Sequence, residues 1–200
     1  MSLPPDLPLP RRSRRRGIDG MLAFSVIVIS LSSMFIALRQ SRVMEQQLEA
    51  SVWPYVEFDN SNYDGQRKEQ AISLSIGNVG VGPARIVALA MRYENTPVTG
   101  WKSLFDACCN PEQRPVSNIL SSGAIGRVLP AGGTISLFRL TRSPDDEAVW
   151  SKLNTARFRI TGTICYCSVF DSCWTRDLRS DAAAPVANCQ TIAALPQYRE

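Results

Sequence analysis

Two hundred residues accommodate one ordinary domain and an appendage, with an apolar share usual for a folded chain and a formal charge of +4. The charge is uneven: five arginines crowd into residues 11–16, whereas from Trp53 onward 15 Lys and Arg face 14 Asp and Glu, too even a balance for an extended nucleic-acid surface. Histidine is absent and lysine is limited to Lys68, Lys102 and Lys152, which removes Ser-His-Asp and Cys-His catalysis, His-containing zinc sites and most Ser-Lys chemistry, so no enzyme and no resident cofactor is expected.

The first ten residues, M-S-L-P-P-D-L-P-L-P, are proline-rich and bury nothing, so residues 1–20 read as a disordered Arg/Pro-rich cytoplasmic tail. Met21 to Leu38 is an uncharged run of eighteen residues. As a helix it rises about 27 Å, close to the hydrocarbon thickness of about 30 Å. The run is longer than a signal-peptide core and lacks an A-x-A-like cleavage site, so an uncleaved signal anchor is expected. Five arginines precede it against Arg39 and Arg42 after it, which keeps the N-terminus in the cytoplasm and the rest outside.

Residues 39–52 contain no Gly or Pro and space Met44, Leu48 and Val52 four apart, predicting a short helical stalk whose stripe could pair with a second copy. Pro54 ends that helix. From Trp53 the period changes to two. Ile72, Leu74 and Ile76 share a face, residues 84–93 and 134–140 read as strands, and Phe158, Ile160, Gly162, Ile164 and Tyr166 alternate with Arg157, Arg159, Thr161, Thr163, Cys165 and Cys167. With Y-V-E-F at the start and a returning strand from Cys173, six or seven short strands and hardly any helix are expected. One helix is predicted after Ser143 and Pro144, its first turn holding Asp145, Asp146 and Glu147 for the helix dipole and not for catalysis. The expected fold is all-β, an antiparallel β-sandwich over residues 53–180, followed by a tail, 181–200, that Cys189 can tether.

The loop G-N-V-G-V-G-P-A leads into a strand and lacks G-K-[ST], which argues against a phosphate cradle. Its glycines, Gly80 and Gly82, are expected to supply positive φ before Pro83, with Asn78 hydrogen-bonding nearby backbone.

A strand ending in N-x-G-x-G-P-A, an apolar strand, then L-P-A-G-G before a third strand resembles bacterial immunoglobulin-like adhesion or CARDB-type domains. With the anchor, the stalk, W-P-Y and a hairpin close to C-S-x-F, the layout is similar to uncharacterised bacterial membrane-anchored proteins with such an ectodomain. The resemblance covers about residues 53–179. It implies an immunoglobulin-like fold and a membrane-tethered layout, and it brings no catalytic residue. With the orientation set by the arginines, the domain is expected on the periplasmic side of a bacterial inner membrane, presented to another envelope protein.

Six cysteines remain: Cys108, Cys109, Cys165, Cys167, Cys173 and Cys189. Outside the cytoplasm they are expected to pair. Cys167 and Cys173 flank five residues and could bridge a hairpin, leaving Cys165 to Cys189 or to one of the vicinal pair. The alternative is a thiol-based metal or redox centre on Cys165, Cys167 and Cys173, although no C-x-x-C is present.

Overall fold

The computed structural model describes residues 13–199, and the chain divides into two compact units at Leu48/Glu49. Helix α1 (Ser13–Ser51) carries the apolar run. It is long and apolar enough to cross a membrane, and none of its apolar window is buried against protein. A tail was expected over 1–20, but the helix already includes 13–20, where no proline interrupts it; residues 1–12 lie outside the described residues. The predicted stalk is the C-terminal part of the same helix, which stops three residues before Pro54.

The second unit is built on two antiparallel sheets. One orders β1 (Val56–Ser61), β2 (Ala71–Asn78), β7 (Thr134–Thr141) and β5 (Ile119–Ser121). The other orders β10 (Ala184–Val186), β9 (Cys173–Asp177), β8 (Ile160–Cys167), β3 (Ala84–Tyr93) and β4 (Thr96–Val98), with β6 (Val128–Leu129) beside the start of β3. Inward-facing Ile72, Leu74 and Ile76 of β2, Leu137 of β7, Ile86, Leu89 and Met91 of β3 and Ile164 and Tyr166 of β8 join one buried cluster. The period-two reading of β2 and β8 therefore matches their buried faces. A bulge between Ile86 and Ala88 changes the phase of β3, so that Ala88 leaves this core and faces outward while Leu89 returns to it.

Three departures from expectation concern helix and tail. The chain is not all-β, because α2 (Trp101–Cys108) and α3 (Glu147–Ala156) join α1. α2 lies between the strands read over 84–93 and 134–140, and its aromatics pack on the sheets: Phe105 is buried, edge-on to Phe138 at 5.7 Å and to Trp101 at 5.6 Å. α3 runs on to Ala156, so Phe158 falls in a short 3-10 turn instead of a strand and stays exposed beneath the Arg157 guanidinium.

The third departure is the C-terminal stretch, which is integral to the domain. β10 extends the second sheet, α4 (Gln190–Ala193) follows Cys189, and Tyr198 is fully buried. The edge of β3 is covered by β6 at Ala84 and Arg85 and by β4 from Met91 to Tyr93. In the gap, the Tyr198 amide donates to the Leu89 carbonyl at 2.7 Å, and the Leu89 amide donates to Gln197 Oε1 at 3.0 Å. The end of the chain thus completes a strand edge that would otherwise be open.

Candidate functional site: a cysteine cluster and a glycine loop

Cys165 and Cys167 stand two residues apart on β8, on the outer face of the second sheet. With Ala88, Cys173 and Cys189 they form a second, smaller buried cluster, flanked by Val87, Val186 and Ile192. Cys167 and Cys173 are direct register partners across the β8–β9 hairpin and are disulfide-bonded, with Cα atoms 4.0 Å apart. Cys165 is bonded to Cys189, Cα to Cα 5.6 Å, which ties the C-terminal segment over the sheet. The residue opposite Cys165 on β3 is Ala88, whose short side chain leaves room for that bridge.

The two bridges touch. Cys167 Sγ lies 3.8 Å from Cys189 Sγ, and the sulfurs of Cys167, Cys173 and Cys189 all lie within 4.8 Å of one another. The geometry therefore replaces Cys165 by Cys189 in the trio suggested as a thiolate site. In the bonded state none of these sulfurs is a thiolate, the form a soft metal requires. Cys108 and Cys109, at the end of α2, are bonded to each other; Cys165 has taken Cys189, and the expected alternative of a tether from the vicinal pair is not used. Among the described residues no cysteine is free.

The glycine loop is organised by Asn78. Its buried side chain donates to the carbonyls of Gly82 (2.8 Å) and Leu129 (3.0 Å) and accepts from the amides of Tyr55 (3.1 Å) and Gly80 (3.1 Å). All four of its hydrogen-bonding positions are used. The expected reason for the glycines is corrected: positive φ is found at Gly126 and Gly132, not at Gly80 or Gly82. Those two are glycines because the backbone of residues 52–55 passes against them. A Cβ on Gly80 would sit 2.6 Å from the Trp53 carbonyl oxygen, and one on Gly82 would overlap the Val52 carbonyl. The Val81 and Gly82 amides also donate to the Trp53 carbonyl, at 3.0 and 3.2 Å. W-P-Y and N-x-G-x-G-P-A, separate in sequence, are thus the two halves of one backbone clasp, with Pro83 leading out of it into β3 at Ala84.

The acidic group Asp145, Asp146 and Glu147 divides by environment. Asp145 is exposed, and Glu147 pairs with Arg142 at 2.6 Å. Asp146 is buried and takes up the Ser117 amide and hydroxyl, the Asn118 amide and side chain, and the Ser143 hydroxyl. Burial pushes its carboxyl up, but the hydrogen bonds from Asn118 and Ser117 outweigh burial and hold it below the usual carboxylate range. The helix predicted directly after Ser143 and Pro144 starts at Glu147, and Ser143 accepts from the Asp146 amide in the turn before it.

Sequence reasoning passed over the end of the domain at which the clasp lies. The β2–β3 loop, the start of β1, β6 and the β8–β9 hairpin tip meet there, as the pairings Val56↔Asn78, Arg85↔Val128 and Arg85↔Cys167 require. Trp53, Val79, Val81, Val128, Val169 and Phe170 are each between 45% and 65% exposed at this end. The signal was the apolar residues inside turn segments, Val79 and Val81 among the loop glycines and Val169 and Phe170 between Cys167 and Cys173.

The chain belongs to a family defined by a domain of unknown function, DUF8453, which matches residues 20–182 and so takes in the apolar helix, the clasp and all the cysteines except Cys189. No curated protein and no solved structure matches it.

Proposed function

We propose that this is a single-pass, non-enzymatic protein of a bacterial inner membrane, anchored by the Met21–Leu38 run, with its N-terminus in the cytoplasm. Its second unit is then a periplasmic, immunoglobulin-like sandwich that engages another envelope protein. The observation that carries this reading is the combination, on one chain, of an apolar helix with a domain in which every cysteine is disulfide-bonded. Thiols stay paired in an oxidising compartment and are kept reduced in the cytoplasm, and the arginine excess before the helix favours the same orientation. The exposed apolar end bearing Trp53, Val81 and Phe170 is the contact surface offered. Met44, exposed on the helix, and its neighbours four residues on supply a route to a homodimer. Nucleic acid is not a partner in this reading, given the near-neutral charge beyond Trp53.

The test is the thiol state in place. The anchored chain is expressed in a bacterial membrane, alkylated without reduction and weighed intact, and a protease is added to sealed spheroplasts. No alkylated cysteine and loss of the C-terminal unit to external protease are expected. Free cysteines together with protection from protease would overturn the reading.

A further inference from the structure

The contact between the two bridges has a chemical consequence beyond stapling. Of the four sulfur-bearing residues, Cys173 is the most exposed at 9%, followed by Cys189 at 5%, Cys167 at 3% and Cys165 at 0%. Cys173 stands at the base of a hairpin whose tip residues Val169 and Phe170 are exposed, so an incoming thiol meets it first. Cys189 is the shared sulfur: it is bonded to Cys165 and is 3.8 Å from Cys167. That separation is close to the near-attack range of reacting atoms, about 3–3.5 Å.

We infer that the cluster is a thiol–disulfide exchange site, in which reduction begun at Cys173 is passed inward to Cys165 through a Cys167–Cys189 bridge. The partner is a dithiol reductant bearing one exposed, low-pKa thiolate. Its thiolate attacks Cys173 Sγ; a mixed disulfide forms, the Cys167–Cys173 bond breaks, and the bonding pair stays on Cys167 as a thiolate. The Cys167 thiolate attacks Cys189 Sγ, forming Cys167–Cys189 and expelling Cys165 as a thiolate that takes a proton from solvent. The reductant's second thiol then displaces Cys173, which leaves as a thiol. One dithiol has become a disulfide, and one protein disulfide has become two thiols, with two electrons and two protons transferred.

Two features of the site favour this path. Arg85 is the direct register partner of Cys167 and stands on the same sheet face, ion-paired with Asp171 of the hairpin tip, so a cation lies near the sulfur that must leave as an anion. The sulfur expelled in the second step, Cys165, ends beside Ala88 in an apolar environment in which a neutral thiol packs well. The C-terminal segment stays tethered throughout, because Cys189 exchanges one β8 cysteine for another two residues along.

Peptide mapping tests the exchange without depending on the cellular reading above. The full-length chain in detergent is exposed to a limiting dithiol, quenched with acid, alkylated and cleaved after Tyr166 and Phe170, which separates Cys165, Cys167 and Cys173. In species that have lost one of the two bridges, a Cys167–Cys189 crosslink with Cys165 and Cys173 alkylated is expected. Only native pairings in those species would refute the proposal. A Cys165→Ser variant provides a reductant-free version: Cys189, freed beside the intact bridge, should capture Cys167, so that Cys173 is the alkylated residue in the folded protein. Alkylation of Cys189 with Cys167–Cys173 retained would overturn the inference, whichever compartment the domain occupies.

Discussion

Replacing Asn78 by alanine removes four hydrogen bonds at once, and the cost can be built up partner by partner. The Gly82 carbonyl lies in a buried residue and loses its donor, whereas the buried Leu129 carbonyl keeps the ladder hydrogen bond of the Ala84↔Leu129 pair and loses only a second donor, at roughly 0.5–1 kcal/mol. An orphaned buried polar group costs about 1–3 kcal/mol. The amides of Tyr55 and Gly80 belong to half-buried residues that solvent can reach, at a cost of roughly 0.5–1 kcal/mol each. The sum is about 4 kcal/mol, a large fraction of the roughly 5–15 kcal/mol that holds a domain together. In a unit of this size about 2–4 °C of melting temperature follows each kcal/mol, so Asn78→Ala should melt roughly 8–16 °C below the parent chain. Near-UV circular dichroism of the detergent-solubilised protein reads that transition. Asn78→Asp sharpens the test, since it keeps an acceptor for Tyr55 and Gly80 but aims an anionic oxygen at two carbonyls; it should be at least as unstable as the alanine variant. A melting point within about 2 °C of the parent for either variant would refute the clasp as an energetic unit.

The same clasp predicts that Gly82→Ala destabilises the domain although alanine is acceptable at its φ, because the obstacle is the Val52 backbone and not a flexible side chain; a thermal melt checks it. The disulfides should differ by the loop each closes. Loss of Cys165–Cys189, with a sequence separation of 24, removes about 3.5 kcal/mol of chain-entropy stabilisation, and loss of Cys167–Cys173, with a separation of 6, about 2.4 kcal/mol. Cys108→Ala opens a bridge between adjacent residues that closes no loop, so denaturant midpoints should rank the three in that order, with Cys108→Ala nearest the parent. For Asp146 the folded pKa is depressed, so its contribution is complete above the unfolded value of about 3.9 and is lost as pH falls through the folded one. Stability measured from pH 7 downward should therefore fall below about pH 4, and Asp146→Asn should be weaker at neutral pH with a shallower acid slope.

What was legible in the chain was whatever periodicity alone determines. β2 and the inward face of β8 alternate because each has one face in the common core, and that alternation is visible without knowing the partner strand, whereas bulges at Ala88 and opposite Leu74/Ser75 break it in β3 and β7. β4, β5, β6 and β10 have two or three residues each and are strands only because a longer neighbour pairs with them. α2 is two turns long and starts at a glycine whose side chain can cap nothing; Ser103 instead accepts the amides of Thr99 and Gly100 from inside the helix. The glycines of the clasp were recognised as required, but a sequence does not separate a glycine needed for positive φ from one needed for clearance, since both are simply the absence of a Cβ. The Cys167–Cys173 pairing followed from hairpin register, whereas Cys189 as the partner of Cys165 depends on where the last twenty residues lie, and nothing periodic in them announces it.

That dependence bears on what the disulfides are for. The unit from Glu49 is of a size at which a hydrophobic core stabilises a domain without covalent help, and the shared core of both sheets is extensive. The two touching bridges lie outside that core, in a small cluster on the outer sheet face, and they tie the β8–β9 hairpin to a C-terminal segment that reaches the core at Tyr198. Of that segment, β10 rests on three paired residues, α4 is a single turn, and the closure of the β3 edge rests on two hydrogen bonds to Leu89 together with the burial of Tyr198. The covalent links are therefore densest where the backbone pairing is sparse. The exchange proposed at Cys173 acts on this segment and on the hairpin tip at the exposed apolar end, and it involves no residue of the main core cluster. The proposed exchange site and the exposed apolar end thus share one hairpin, with Cys167 and Phe170 three residues apart.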